Sequence, residues 1–456
     1  MKPSIVYAAL ALASLAPDLH AETLWTKNSG IDSASCGSSG SPCRSISQTI
    51  ANAQDGDTIY VGPGRYGNVN GDSTFTGPGD EQPQANAGPW DSSGCIVCIT
   101  KGVHIYSIAG AVLTVIDSGG SQYQSTVMIL SDGADFGAEQ HGFTITGGNA
   151  HGITIEPNYG YSLKGVARNI SVSGNIDIGD GDGVYFYGDG MDQVTYKGCP
   201  PLACTFSARV LIAGNRLVNN ANGVNVTMNN WGGQGSVVVR DNQAIHAGTG
   251  YNIFPGFEFG EGTFLSSSST VQLINNVAAN GNVGFYATLT GPIEYNTALD
   301  NTQSGFVITN TAQFTFNAAL GNGGPGVLVN LTPGPFVLGN LSSSATFSGN
   351  TFMGNDRNRP AALFLGYAVA NFNSGPSANC GVLNLGPLGA LGGMTQVTPV
   401  PATRMQAINN YWGSATGPST SGPGDAAGGA CDQNNATTVA RPFLSTVPQG
   451  TTPLYP

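Results

Sequence analysis

The sequence predicts an all-β fold, a solenoid in which short parallel strands pile up coil upon coil, and three observations carry that reading. The first is composition. Glycine is 67 of 456 residues and charged residues are 9 %, against about 25 % in an ordinary soluble domain. With five lysines, the surface must be covered by Asn, Ser, Thr and Gly, the residues of turns and solvated strands. The second is a repeat. From about residue 140 one class of β-type run ends in asparagine (ISVSGN from Ile170, VLIAGN from Val210, VVVRDN from Val237), while another opens with glycine (GVYFYG from Gly183, GVNVTM from Gly223, GFVITN from Gly305). The third is spacing. The glycine openers stand at Gly152, Gly183, Gly223, Gly250, Gly284, Gly305 and Gly326, so the last two intervals are 21 residues each. A unit that short cannot bury its own apolar face. Stacking each strand on its copy about 4.8 Å away solves the problem. No window shows a sustained 3.6-residue apolar period, which leaves helical repeats without support, and the glycines show no collagen period.

Taken from the N-terminus, residues 1–21 combine Lys2, an apolar stretch from Ile5 to Leu15 and a small residue, Ala21. That is the pattern of a secretory signal peptide, too short to span a bilayer. The mature chain is therefore expected to be secreted or periplasmic, with no membrane span after cleavage. Eight cysteines agree with an oxidising compartment, with Cys36 paired to Cys43, Cys199 to Cys204, and Cys380 to Cys431. A Cys95–Cys98 bridge is not expected: if CIVCIT is extended, the two α-carbons lie about 10 Å apart, beyond the reach of about 7 Å. Residues 22–56 read as an N-terminal cap. Ser45 and Gln48 have capping-box spacing, and Ile46, Ile50 and Ala53 share one helical face, so a short helix would cover the first coil and protect its edge. Asp55-Gly56-Asp57 then turns the chain into a strand over Thr58–Val61. Residues 57–375 form the solenoid and 376–456 a C-terminal cap and tail. Asparagines at the corners are expected to take left-handed backbone conformations and to hydrogen-bond as a ladder.

The segment SPCRSISQTIANAQDGDTIYVGPGRYG, from Ser41 to Gly67, resembles the opening coil of secreted right-handed parallel β-helix proteins of the pectate-lyase-like superfamily. NNYWGSATGPS from Asn409, GPGD from Gly422 and VARPFL from Val439 resemble their closing segment. The resemblance implies a single-stranded right-handed parallel β-helix with an N-terminal capping helix. It implies little about function, because that superfamily holds lyases, hydrolases, epimerases, adhesins and binding modules. The hydrolase motifs G-H-G and R-I-K and the epimerase motif D-P-H-D do not occur in this chain.

Intervals longer than 21 residues place insertions after four successive glycine-opened strands, at about 156–168, 187–207, 228–235 and 255–269. Equivalent positions in stacked coils lie above one another, so these loops should rise from one edge and wall a groove. Tyr161, Tyr187, Asp189, Asp192, Trp231, Phe257, Glu258 and Glu261 are the candidate substrate-binding residues, since aromatic faces stack on sugar rings and carboxylates accept sugar hydroxyls. Asp177, Asp180 and Asp182 in NIDIGDGDGV could chelate calcium, the one cofactor considered. Asp180 and Asp182 could instead act as an acid–base pair for glycoside cleavage, or all three could simply build a turn. For lyase chemistry, Lys164, Arg168 and Lys197 are the candidate bases. His104, His141, His151 and His246 are scattered and read as structural. A net charge of −12 with no basic run excludes nucleic acid as a partner. The expected function is that of an exported monomer that binds, or binds and cleaves, a polysaccharide or other glycan. The alternative is a non-catalytic adhesin or surface scaffold.

Overall fold

The computed structural model describes residues 21–72, 74–77, 79–84, 94–156, 166–189, 207–229, 234–254, 270–287, 291–308, 313–324, 326–329, 346–353, 355, 371–372, 405–406, 409, 438–439 and 444–446. Their strands fall into three sheets. Sheet A starts with Thr23–Thr26, sheet B with Gly64–Gly67 and sheet C with Cys95–Ile99. The chain visits them in rotation: Val166–Ser173 in A, Ile176–Ile178 in B, Asp182–Asp189 in C, then Ser207–Ala213 in A again. Strands within each sheet pair in parallel, except Asn371–Phe372, which runs antiparallel beside Val327–Val329 in sheet C. Three long parallel sheets and almost no helix are the arrangement of a parallel β-solenoid.

Register makes the core. Alternate residues point inward, and each pairs with the inward residue of the next coil, as in the sheet A column Val172, Ile212, Val239, Leu273, Ile293, Phe314. All six are buried. In sheet C the rings of Tyr251, Phe285 and Phe306 stack at 4.6 Å per step, nearly parallel, because the spacing between strands is also a good spacing between rings. The glycine openers fall into register at the start of sheet C. They are needed for close approach rather than for a left-handed backbone: a Cβ on Gly223 would run into the Gly250 carbonyl oxygen and the Ala244 methyl, and one on Gly284 into the Gly305 carbonyl oxygen.

The corner between sheets A and B carries an asparagine ladder. Asn175, Asn215, Asn242, Asn276, Asn296, Asn317 and Asn350 are all buried. Each backbone N–H and each side-chain Nδ2 donates to Oδ1 of the next, from Asn175 Nδ2 to Asn215 Oδ1 at 3.2 Å through Asn296 N to Asn317 Oδ1 at 2.8 Å. The left-handed residue is the one before the ladder position, which corrects the expectation that the ladder asparagine itself is left-handed. Gly174, Gly214, Asp241, Asn275, Tyr295, Phe316 and Gly349 hold φ between 53° and 69° there. That kink turns the chain so that the following side chain points inward. A shorter ladder (Asn301, Asn322, Asn355) lines the B-to-C corner.

The four long insertions depart from the end of sheet C and return at the start of sheet A, between Ile155 and Val166, Asp189 and Ser207, Asn229 and Gln234, and Phe254 and Thr270. Two boundaries shift. Tyr187 and Asp189 lie in the strand Asp182–Asp189, and Arg168 in the strand Val166–Ser173, because the surplus residues lengthen the sheets before leaving them, as Tyr187 pairs with Thr227 and Val166 with Ser207.

Near the N-terminus a helix, α1, spans Ile46–Asn52. Ser45 Oγ accepts the Gln48 N–H at 3.1 Å, as the spacing predicts. The reciprocal contact comes from Asp32, whose Oδ1 accepts the Ser45 N–H at 2.9 Å, while Gln48 turns to Asn52. The buried Glu81 carboxylate accepts the Ile46 and Ser47 amides at 2.9 and 2.8 Å, favourable at a helix start. Cys36 and Cys43 are bonded, with α-carbons 4.9 Å apart. So are Cys95 and Cys98, at 5.5 Å, which corrects the expectation from full extension. Pairing skips Ile96, the position that glycine occupies in later coils, so the backbone departs from a regular strand between the two cysteines. Among the described residues no helix is long and apolar enough to cross a membrane.

Replacing Asn296 with alanine should leave two buried donors on Asn276 without an acceptor and cost about 3 kcal/mol. The expected outcome is a lower urea midpoint at an unchanged slope. Peptide mapping without reduction should recover Cys95 and Cys98 as a linked pair.

Candidate functional site

The outer face of sheet C is closed at its N-terminal end and opens further along. Cys95–Ile99 and Ser125–Ile129 are buried on both faces, and Cys95, Cys98, Met128 and Leu130 form an apolar cluster separate from the core. From His151–Ile155 onward several outward positions reach solvent: His151, Tyr185, Asn225 and Asn252 are half-buried and Tyr286 is exposed, while Thr154 and Asp182 stay buried. Register aligns Thr154, Tyr185, Asn225, Asn252 and Tyr286 in one row, two residues after each opening glycine. His151, Asp182 and Asn222 form a second row, one residue before it.

The two rows are wired together around Asp182. Its Oδ1 accepts Asn222 Nδ2 at 2.7 Å and its Oδ2 accepts Asn225 Nδ2 at 3.0 Å. Asn225 Oδ1 in turn accepts Asn252 Nδ2 at 3.2 Å. His151 Nδ1 lies 3.0 Å from Asp182 Oδ2, within ion-pair reach but off-line for a hydrogen bond. The imidazole stacks on Tyr185 with centroids 4.5 Å apart, and Tyr185 leans on Tyr187 at 6.1 Å. Burial, then the nearby Tyr187, Glu156 and Asp182, push the Tyr185 hydroxyl far above its ordinary value, so it remains a neutral donor. Tyr286 is 36 % exposed at the far end of the row.

Asp177 and Asp180 have a different fate. Asp177 occupies the inward column of sheet B, between Ile145 and Leu217, and is fully buried. Asp180 stands at the B-to-C corner in the place of a ladder asparagine, accepting the Gly148 N–H at 2.7 Å. Asp177 Oδ1 accepts Asn220 Nδ2 at 2.9 Å. The two Oδ2 atoms converge under Gly152, where no protein donor reaches either. A single proton shared between them satisfies both. Burial first, then the Asp180 charge and the shared hydrogen bond, hold the Asp177 carboxyl well above the usual carboxylate range. Burial also raises Asp180, against the lowering effect of its bonds to Asp177 and Gly148.

Thus the three aspartates separate: Asp177 and Asp180 pair inside the tube, and Asp182 faces outward. Among the described residues, the one group of three acidic, cysteine or histidine side chains with ligand atoms within 4.8 Å of one another is Asp32, Cys36 and Cys43, and both of its sulfurs are in a disulfide. The aspartates therefore do not fit a shared calcium site. Tyr161, Lys164, Asp192, Lys197, Trp231, Phe257, Glu258 and Glu261, with Cys199, Cys204, Cys380 and Cys431, lie outside the described residues. Of Arg168 and Asp189 only the backbone is described. Tyr187 is half-buried on the open face, beside the Asp189–Ser207 insertion. His151, Tyr185, Asn222, Asn225, Asn252 and Tyr286 escaped sequence reasoning. The aligned glycines could have found them, since the residue two positions after each opener and the residue one position before it give the two outward rows.

Set against protein-family models, curated proteins and solved structures, the chain shows no significant match to any.

The Asp177–Asp180 pair makes stability depend on pH in a defined sense. A carboxyl whose folded pKa is raised contributes stability that is fully present below the unfolded value of 3.8 and is lost as pH rises through the folded value. Asp177→Asn keeps an acceptor for Asn220 and a donor for Asp180 without the ionisation. The variant should melt higher than the parent at neutral pH, and the advantage should vanish near pH 4; thermal melts across that range measure it.

Proposed function

We propose that the protein is an exported glycan-binding β-helix that holds a polysaccharide against the outer face of sheet C, beside the edge from which the four insertions depart. The observation that carries this reading is the open face itself. Aromatic rings (Tyr185, Tyr187, Tyr286) and an amide chain (Asn222, Asn225, Asn252) share a surface, with the buried Asp182 carboxylate bonded to two of the amides. That mixture matches the two sides of a sugar, apolar ring faces and hydroxyl rims. Right-handed winding follows from the strong preference of parallel crossovers for that hand. Within the proposal, residues 1–21 are the leader, α1 closes the first coil, and membership of the pectate-lyase-like superfamily rests on the motifs at the two ends of the chain.

Processing of the bound chain would fall to His151. An imidazole beside a bound chain is the usual side chain for taking and returning a proton in such chemistry. Lys164 and Lys197, from the insertions, and Arg168, from the strand Val166–Ser173, remain the proposed bases. The second reading, a non-catalytic adhesin or scaffold, is favoured by one feature of the carboxylates. Both Asp182 oxygens are already engaged by amides, and Asp180 is buried, so these two are poorly placed as the open acid–base pair of a glycosidase.

A panel of purified polysaccharides, scored for binding, reducing ends and unsaturated products, separates these readings. Tyr187→Ala and Tyr286→Ala should each weaken binding by about tenfold at an unchanged melting temperature. His151→Ala should abolish turnover if the protein is an enzyme, and leave binding intact if it is an adhesin. A folded protein that retains no polysaccharide on the panel would refute the proposal.

A further inference from the structure

The A-to-B corner, on a different side of the tube from sheet C, holds a second surface with its own anomaly. In two successive coils the left-handed position is glycine, Gly174 and Gly214. A groove of about 440 Å³ lies over this corner, with the Ala138 carbonyl oxygen filling the side-chain space of Gly174. Val112, 78 % exposed, stands on one wall. Gln140, Arg216, Gln243 and Asp241 line the rest. Space above Gly214 is open, since a Cβ there would meet nothing nearer than 3.9 Å.

Further along the same corner column the left-handed position is filled by Asp241 and Asn275, residues that tolerate it, and then by Tyr295 and Phe316. Bulky aromatics strongly disfavour a left-handed backbone. These two adopt it in consecutive coils with φ of 59° and 56° while remaining 43 % and 37 % exposed. Their rings stack 5.1 Å apart at 7°. A strained conformation that gains so little burial suggests that the side chains are kept for what they present to solvent. They form an apolar ledge in line with the groove. From Gly174 to Phe316 the column advances five coils, about 24 Å at the strand spacing.

We propose that this corner is a second binding track, for a linear glycan lying parallel to the tube axis, with its end sugars on the Tyr295–Phe316 ledge and its other end in the glycine-floored groove. Arg216, Gln140 and Gln243 donate to sugar oxygens, Asp241 accepts from a hydroxyl, and Val112 and the ledge meet apolar ring faces. The strands under the groove are paired on both sides, so an extended peptide finds no free edge to join. The track is independent of the sheet C site.

Three variants of the full chain test it, with hexasaccharides of β-1,4-linked glucose and of α-1,4-linked galacturonate as probes and calorimetry as the readout. Gly214→Asn puts a side chain into the groove at a position where the fold already accepts Asn275. It should weaken binding of the favoured hexasaccharide about tenfold with no change in melting temperature. Tyr295→Asn with Phe316→Asn should weaken binding to a similar extent while the melting temperature holds or rises, because the backbone strain is relieved. In the parent, affinity should increase from trisaccharide to hexasaccharide, and the double variant should lose that increase. Tyr187→Ala on sheet C should leave this binding untouched, which separates the two sites. Binding that responds to Tyr187→Ala alone, variants that bind as the parent does, or a parent that binds neither probe would each overturn the track.

Discussion

At the A-to-B corner of each coil from Asn175 to Asn317, a backbone amide turns into the tube, and the carboxamide oxygen of the next coil receives it. A buried N–H without a partner costs about 1–3 kcal/mol, so a coil that bends inward needs an acceptor from its neighbour. Asparagine fits this role because its short carboxamide carries an oxygen that accepts twice and an NH2 that donates twice. The same carboxamide also reaches back to a carbonyl, as Asn276 Nδ2 does to Val239 at 2.8 Å. The ladder thereby holds successive coils in phase. Every column in the molecule inherits that phase, from the stacked rings of Tyr251, Phe285 and Phe306 to the glycines that open sheet C.

Phase also shapes both surfaces. Because coils do not slip, the outward residues of sheet C make a continuous row and the four insertions depart from one edge. The corner column is continuous for the same reason, so a change from glycine to aspartate, asparagine and aromatic along it becomes a change of surface along the tube. The N-terminal coils differ. Their sheet C is covered on both faces, and the Cys95–Cys98 bridge lies against Met128 and Leu130 in that covered region.

Asp177 is the main local departure from the pattern. Its neighbours in the inward column are Ile145 and Leu217, and an ionised carboxylate among them would be costly. The shared proton with Asp180 and the amide of Asn220 make the substitution tolerable. Three aspartates within six residues look alike in a sequence, yet strand alternation sends Asp177 inside, the corner holds Asp180, and the start of sheet C places Asp182, still buried, among the amides of the outer face.

Parallel stacking was legible because it is periodic: glycine openers at steps of 21 residues and asparagine-ended strands recur in the chain itself, and a repeat too small for its own core must stack. The helix α1 was legible from Ser45 and the spacing of Ile46 and Ile50 for a similar reason, since local hydrogen bonds are written in local sequence. The partners across coils were not. Asp32 rather than Gln48 meets the Ser45 amide, the residue ahead of each ladder asparagine takes the left-handed turn, and Cys95 reaches Cys98 because the backbone leaves the ladder between them. Each depends on where a neighbour one coil away puts a carbonyl or a Cβ. Sequence alone therefore determined the stacking and its phase, through periodicity. Only the tertiary structure decided which side chains share the open face of sheet C and which aspartates share a proton, because those distances are set between coils tens of residues apart.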